Sequence, residues 1–367
     1  MKSTANDSRK VVYFRFALNI SLNTDQTPTD EQRALRNDKQ LRGSWLRWFF
    51  RLLLGLGIVA FLASRHDDAA LLRALRSTSW SFFAVSVGLY WAGQLLSAWK
   101  WKLLLRAQNA EIALADCCRL YAVGMFWNLW MPTNIGGDAV RAVRCGALCG
   151  SRAVAVSSIL VERLTGLVAL AFLGSVAFTL QFWLAPLPAV SVARHIALLF
   201  ALAFAILAGL VWFLKRARHK NSSSPFWKKV ASLRESLAFY LRPSQRPILG
   251  FTLLISLIFQ TSQVALNIFL AQKLGLHIAP LVFFWIVPTL AFASLVPFGI
   301  GGLGVREAAA VQMLGAFGAS APTILAWSLL WQAVVWFASL PGAIWAAPSR
   351  AKHTSSTRIT QDTEKPH

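Results

Sequence analysis

Apolar residues in this chain occur in long uninterrupted runs, and polar residues are concentrated between those runs. A run of about 20 apolar residues is the length that an α-helix needs to cross a hydrocarbon core of ~30 Å. Because several such runs occur, one cleaved signal peptide does not explain them. The pattern predicts an all-α polytopic membrane protein with about six spanning helices, near residues 45–63, 80–99, 153–183, 195–214, 247–276 and 320–347.

Two further apolar stretches are interrupted by Pro and paired Gly, and they predict broken helical hairpins. Residues 112–131 lead into Pro132-Thr-Asn-Ile-Gly-Gly137 and a second limb to about residue 150. Residues 280–296 lead into Pro297-Phe-Gly-Ile-Gly-Gly302 and a second limb to about residue 318. Pro removes a backbone donor, and Gly costs about 1 kcal/mol relative to Ala inside a helix. A limb such as Arg119–Met131 rises only about 20 Å at ~1.5 Å per residue and would stop short of the far face, so the hairpins are expected to be re-entrant or short.

The two breaks are copies of one motif. Residues 132–141 align without gaps on residues 297–306, with six of ten positions identical at an offset of 165 residues. The same offset carries the span at 153–183 onto the last span. Each half therefore holds three spans and one hairpin, and an odd number of spans inverts the second half relative to the first. Inverted repeats with broken helices near the midplane are typical of secondary transporters.

The distribution of charge predicts the orientation. The formal net charge is +22, and Lys and Arg are concentrated in the N-terminal segment, in short loops and in the linker at 215–246. This linker carries nine basic residues and one acid, Glu235. This pattern indicates cytoplasmic loops beside anionic lipid headgroups and argues against nucleic acid as a partner. The loop after Trp99, with Lys100, Lys102 and Arg106, is also basic and is predicted to be cytoplasmic.

The predicted organisation in a cell membrane has four parts. It consists of a disordered cytoplasmic arm at 1–44, a first membrane repeat at 45–183, a second at 195–347 that includes the linker, and a cytoplasmic tail at 348–367.

The orientation predicts the outcome of cysteine labelling. In a background without the native cysteines, Ser223→Cys is expected to react with a membrane-impermeant thiol reagent only after the cells are opened, because the basic linker stays inside. Ser191→Cys is the matched control, since its segment at 184–194 carries only Arg194 and is predicted to be outside. Labelling of Ser223→Cys in intact cells would overturn the orientation.

Ionisable residues at the broken regions are the candidates for chemistry. An Arg at a helix centre costs about 2.5–3.5 kcal/mol on insertion scales, so such residues are functional candidates. Arg141 and Arg306 begin the second limbs, where free backbone N–H groups and a guanidinium suit a lipid phosphate. Asp138 and Glu162 would balance these charges or receive a cationic headgroup. The predicted substrate-contacting residues are Asn128, Gly136, Gly137, Asp138, Arg141, Glu162, Arg163, Gly301, Gly302, Arg306 and Glu307.

A structural interpretation of the same residues stays open. Asp138–Arg141 and Glu162–Arg163 would then be ion pairs that hold the fold, and the Gly pairs would only permit close helix contact. Asn128 either caps backbone that is freed by the break or contacts the ligand, and capping is the favoured interpretation. Three polar residues of the fifth span are expected to join helices by hydrogen bonds: Gln260, Gln263 and Asn267.

Signatures of soluble catalytic domains are absent from the sequence. It contains no Walker A run, no G-x-S-x-G and no H-E-x-x-H, so no ATP motor is encoded and the chain is expected not to be an enzyme. The four cysteines lack the spacing of zinc ligands and are expected to pack as small apolar residues. They are Cys117, Cys118, Cys145 and Cys149. Neither a metal nor a cofactor is predicted.

Three motifs of the chain resemble one known family. The first is Gly124-Met-Phe-Trp-Asn128 with Pro132-Thr133, Gly136-Gly137-Asp138 and Arg141. The second is Val161-Glu162-Arg163-Leu-Thr-Gly166, and the third is Pro297 with Gly301-Gly302, Gly304, Arg306 and Glu307. Over about residues 45–347 the chain is similar to the flippase-like membrane domain of lysylphosphatidylglycerol synthase/flippase proteins, which also occurs alone. Bifunctional members add an aminoacyl-transferase domain after this region, so the resemblance implies the translocating half without the synthase half.

The expected function is binding and translocation of a phospholipid or another lipid-linked anion. One alternative is a membrane transferase or hydrolase that acts on a polyprenyl phosphate, with Asp138 or Glu162 as the acid/base group. Another is a non-transporting membrane partner of a separate lipid-modifying or glycosyl-transferring enzyme. Turnover by the purified chain distinguishes the first alternative, and co-purification with such an enzyme without transport distinguishes the second.

Overall fold

The computed structural model describes residues 78–131, 136–184, 225–294 and 305–346, together with Gly209, and all regular structure in these ranges is helical. The predicted all-α class is thereby confirmed. The α-helices are α1 (Trp80–Ala107), α2 (Leu114–Trp130), α3 (Gly136–Leu148), α4 (Arg152–Leu184), α5 (Pro225–Tyr240), α6 (Arg246–Lys273), α7 (Pro280–Ala293), α8 (Val305–Gly315), α9 (Ala321–Ser339) and α10 (Ala343–Ala346). Short 3₁₀ turns precede α6 and join α9 to α10.

Four helical segments within the described ranges are long and apolar enough to cross a membrane. They are Trp80–Ala107, Arg152–Leu184, Pro243–Lys273 and Ala321–Ala346. These segments confirm four of the predicted spans. The spans predicted near 45–63 and 195–214, the N-terminal arm and the tail after residue 347 lie outside the described residues.

The limbs of both predicted hairpins are short helices. In the first hairpin, α2 has 17 residues and α3 has 13. In the second, α7 has 14 residues and α8 has 11. Each limb falls short of the ~20 residues that a membrane span requires. The breaks themselves, at 132–135 and 295–304, lie outside the described residues.

The helices repeat at the offset that the sequence predicts. Moving α1 by 165 residues gives 245–272, which coincides with α6 at Arg246–Lys273. The same shift places α2 on α7, α3 on α8, and α4 on α9 with α10. Both halves therefore have the order long helix, short helix, break, short helix and long helix.

The first long helices of the two halves, α1 and α6, run in opposite directions. Phe82, near the start of α1, stacks on Phe269, near the end of α6, with ring centroids 4.5 Å apart. Trp99, near the end of α1, meets Phe251, near the start of α6, at 5.8 Å. The other contacts are reciprocal, because α4 packs on α7 while α9 and α10 pack on α2. The described helices therefore form two inverted repeats.

The predicted loop after Trp99 is wrong, because α1 continues through it to Ala107. Trp101, Leu104 and Leu105 are fully buried and extend the packed face of the helix. Lys100 therefore lies inside the protein, 2% exposed, and is not in a solvated loop. The continued apolar stripe keeps the chain helical despite the basic residues.

Part of the basic linker forms a helix, α5, which packs on α4. Leu237 and Tyr240 are buried in a small cluster with Leu104 and Val161. The Tyr240 hydroxyl donates a hydrogen bond of 2.8 Å to the carbonyl oxygen of Leu104. The linker is therefore attached to α1 and α4, at the end of α1 where the sequence placed cytoplasmic residues.

The cysteines are packing residues. All four are free thiols, and Cys117 and Cys145 are fully buried in the cluster that contains Trp101 and Tyr121. Cys118 and Cys149 pack at its margin. These contacts confirm the interpretation of the cysteines as small apolar side chains. In the described part of the chain, His, Cys, Asp and Glu form no group of three that could hold a metal ion.

Candidate functional site

Glycine allows the two limbs of the first hairpin to touch backbone to backbone. A Cβ atom on Gly137 would lie 2.0 Å from the carbonyl oxygen of Gly124, and one on Gly124 would lie 2.5 Å from Cδ of Arg141. Asn128 Oδ1 accepts a hydrogen bond of 2.7 Å from the Gly137 N–H. This N–H belongs to the first turn of α3, where helices have no internal partner for their amides. The capping interpretation of Asn128 is confirmed.

Arg141 of α3 points into the protein, and its side chain is 1% exposed. Nη1 donates to Asp138 Oδ1 at 3.0 Å, and Nη2 donates to Glu162 Oε2 at 2.8 Å. The guanidinium carbon lies 4.3 Å from the ring centre of Trp101 and 4.0 Å from that of Tyr121. The Tyr121 hydroxyl donates to Glu162 Oε1 at 2.7 Å. Arg141 is therefore held by two carboxylates and two aromatic faces.

Arg163 of α4 binds the same aspartate from the other side. Its Nε donates to Asp138 Oδ2 at 2.7 Å, and its Nη2 donates to Asp138 Oδ1 at 2.8 Å. Unlike Arg141, the Arg163 side chain is 47% exposed. We call Asp138, Arg141, Glu162 and Arg163 the ion cluster. It contains two positive and two negative side chains, so its formal charges cancel.

The ion cluster confirms one predicted ion pair and corrects the other. Asp138 does pair with Arg141. The predicted Glu162–Arg163 pair is wrong, because Glu162 pairs with Arg141 and Arg163 pairs with Asp138. Adjacent residues of a helix point about 100° apart at ~3.6 residues per turn, so they diverge and find different partners. The crossed pairing ties α3 to α4 at two positions.

Lys100 of α1 lies beside the ion cluster, although the sequence pattern did not identify it. Its Nζ donates to the carbonyl oxygen of Glu162 at 3.1 Å and to Ser256 Oγ at 3.0 Å. Ser256 belongs to α6, so this amine connects α1 and α4 of the first repeat to the second repeat. The signal that could have identified it is a lysine between the aromatic residues Trp99 and Trp101, on a helix that continues with the apolar run 103–105.

The equivalent region of the second repeat has different chemistry. Arg306 of α8 is half-buried, and its guanidinium carbon lies 6.0 Å from the ring centre of Trp327 and 5.7 Å from that of Trp331. Its side chain makes no hydrogen bond or ion pair in the part of the chain that the structure describes. Glu307 is buried and accepts a hydrogen bond of 2.8 Å from Ser328 Oγ. The offset of 165 places Trp327 where the first repeat has Glu162.

Some of the other residues that the sequence singled out lie within the part of the chain that the structure describes, and others lie outside it. Gly136 faces the flexible side chain of Met131. Gly301 and Gly302 lie outside the described residues, so their predicted approach to the first hairpin stays a prediction. Gln260 Nε2 donates to the Gly166 carbonyl oxygen at 3.2 Å, which confirms that it joins helices.

These features define a class of protein: a polytopic α-helical membrane protein of two inverted repeats, with a buried ion cluster at a broken hairpin. The family model of the lysylphosphatidylglycerol synthase TM region matches residues 48–342. The chain belongs to this family, as its motifs predicted. Among curated proteins and among solved structures, none matches the chain.

Proposed function

We propose that this chain binds a phospholipid or another lipid-linked anion and translocates it across the membrane. Membership of the family supports a lipid-related function in a membrane. The observation that carries the proposal is Arg163, whose side chain is 47% exposed although its guanidinium is bonded inside the ion cluster. A guanidinium that is held in place on a partly exposed side chain beside a broken hairpin is suited to a phosphate, which it can bind through two donors at once.

The donors of Arg163 are only partly used. A guanidinium has five N–H donors, and two of them bind Asp138. The described residues leave the other three donors for phosphate oxygens, while Asp138 holds the plane of the guanidinium in place. Such pre-organisation lowers the entropic cost of binding.

Arg306 supplies a second guanidinium from the other repeat. Its side chain makes no hydrogen bond to the described residues, so these residues leave its donors unused, and Trp327 and Trp331 support its position. Each inverted repeat thus contributes one arginine with donors that the described residues leave unused. Such a pair suits a headgroup that moves between a state open to one side of the membrane and a state open to the other. Arg141 would have to leave both carboxylates to reach a phosphate, so the geometry favours Arg163 for that contact and a positioning role for Arg141.

Arg163→Gln is expected to weaken the binding of an anionic lipid roughly ten-fold or more, because a charge-assisted hydrogen bond contributes about 1.5–3 kcal/mol. The melting temperature should fall moderately, since Asp138 loses two bonds to Arg163 but keeps its bond to Arg141, so binding is expressed per folded molecule. The measurements are binding of dioctanoyl phosphatidylglycerol to the purified full chain and movement of a headgroup-labelled anionic lipid in proteoliposomes. Arg152→Gln is the matched control, because Arg152 is an exposed arginine at the start of the same helix.

The outcomes separate the proposal from its alternatives. Wild-type binding and transport by well-folded Arg163→Gln protein would contradict the assignment of Arg163. Lipid binding without transport by the wild-type chain would favour a non-transporting partner. Turnover of a polyprenyl phosphate by the purified chain would favour the enzymatic alternative.

A further inference from the structure

Lys100 is a buried amine without a carboxylate partner in the part of the chain that the structure describes. It is 2% exposed, and both of its hydrogen bonds go to neutral oxygens, the Glu162 carbonyl and Ser256 Oγ. The carboxylate of Glu162 is used elsewhere, by Arg141 and Tyr121. A buried charge without a partner is strongly disfavoured.

The direction of the hydrogen bonds matches a neutral amine. The Ser256 hydroxyl donates to the Thr252 carbonyl oxygen at 2.9 Å, so Ser256 Oγ accepts from Lys100. The Glu162 carbonyl can only accept. Lys100 therefore donates two hydrogen bonds, which is the full capacity of an –NH₂ group, whereas an ammonium group has three donors. The lone pair of the neutral amine stays free to bind a proton.

Among the charged groups beside the ion cluster, Lys100 is the one that can gain or lose a proton. The charged groups that act on the amine are Glu162 and Arg163 on α4 and Arg141 on α3. Guanidinium groups do not release their protons in proteins, and both carboxylates of the ion cluster are held by guanidinium bonds. Among the other helices that pack on α1, α2 contributes Tyr121, α6 has titratable side chains only at its ends, and α9 has none.

We propose that Lys100 is a proton-binding site whose occupancy is coupled to the lipid anion. This inference rests on the proposed function. With a neutral amine, the site has no net charge; when the anion binds, the amine takes one proton from water and becomes ammonium, which balances the negative charge of the lipid. When the anion leaves, the proton leaves with it. The protein then moves lipid and proton together, so a pH difference across the membrane drives lipid movement.

Proton uptake on lipid binding tests this coupling directly. Calorimetric titration of the full chain with dioctanoyl phosphatidylglycerol, slightly above neutral pH in two buffers of different ionisation enthalpy, gives the number of protons taken up per lipid. A phosphodiester is used because it does not titrate in this range itself. We expect about one proton per lipid for the wild-type chain and none for Lys100→Met. Lys102→Met, a change two positions along α1, is the matched control and should keep the uptake.

Lys100→Arg is a second variant, and its side chain is permanently charged. It should bind the lipid without proton uptake, so it tests the coupling even if Lys100→Met folds poorly. Lipid binding without proton uptake by the wild-type chain would overturn the coupling and leave the proposed function intact. Unchanged uptake by well-folded Lys100→Met or Lys100→Arg protein would overturn it as well. If the wild-type chain bound no anionic lipid at any pH, the proposed function and the coupling would both be contradicted.

Discussion

Arg141→Ala is expected to destabilise the fold severely, with loss of lipid binding only as a consequence of unfolding. The substitution removes the guanidinium that is bonded to the buried Glu162 carboxylate, and it empties the space between Trp101 and Tyr121. Breaking a buried ion pair in this way costs about 3–5 kcal/mol. Proteins are stable by only about 5–15 kcal/mol, so a large fall in melting temperature and in yield should follow. The measurement is thermal unfolding of the purified chain, with lipid binding expressed per folded molecule.

A second Asp–Arg pair at the same spacing supplies the control for Arg141→Ala. Asp116 and Arg119 on α2 are joined at 3.1 Å, but both side chains are exposed. Arg119→Ala should therefore change stability by less than about 1 kcal/mol. The double variant Arg141→Met with Glu162→Met should recover part of the lost stability, because it leaves no unpaired carboxylate. A wild-type melting temperature for Arg141→Ala, combined with lost lipid binding, would instead support Arg141 as a phosphate ligand.

Gly137→Ala is expected to prevent the first hairpin from closing. The added Cβ would lie 2.0 Å from the carbonyl oxygen of Gly124 and 2.7 Å from Asn128 Oδ1, so the helices must separate and the cap is displaced. Overpacking typically costs about 1–3 kcal/mol, and here the obstacle is backbone, which cannot move aside as a side chain can. Asp138 and Arg141 lie on the same helix, so the ion cluster should be disturbed as well. Thermal unfolding and yield of the full chain provide the measurement.

Two other glycines give a graded comparison. Gly136→Ala meets the flexible side chain of Met131, which can move, and should cost less than Gly137→Ala. Gly88→Ala has no atom within 4 Å of the new Cβ and lies inside α1, so it should be neutral or slightly stabilising. If all three variants melted alike, the close contact between Gly124 and Gly137 would not be important for the fold.

The sequence predicted those features that depend on local pattern. Continuous apolar runs give the four described spans to within a few residues at most ends, because a helix in lipid must satisfy its own backbone. The repeated break at residues 132–137 and 297–302 gave the correct pairing of helices between the halves. The error at Lys100 arose because a run of basic residues normally marks the end of a span, whereas here an amine is accommodated by oxygens of α4 and α6.

The pairing inside the ion cluster depends on three-dimensional packing and could not be predicted from neighbours in the chain. Glu162 and Arg163 are adjacent in sequence, but each bonds to a residue of α3. The sequence alone, however, was sufficient to show that the two repeats differ at the positions of the ion cluster. At the offset of 165, Trp327 replaces Glu162 and Ser328 replaces Arg163, so the second repeat cannot form the same cluster.

Among the described residues the ion cluster occurs in the first repeat alone, which has a consequence for the energetics of the proposed transport. Two chemically identical inverted halves could exchange conformations, and the inward-open and outward-open states would then have equal free energy. Here the first hairpin is held by four buried or half-buried ions, while the described contacts of the Arg306 guanidinium are with two aromatic rings and with the adjacent Glu307. The less constrained half should undergo most of the rearrangement, so we expect the empty protein to rest mainly in one of the two states. A resting preference of this kind would give lipid movement a preferred starting face.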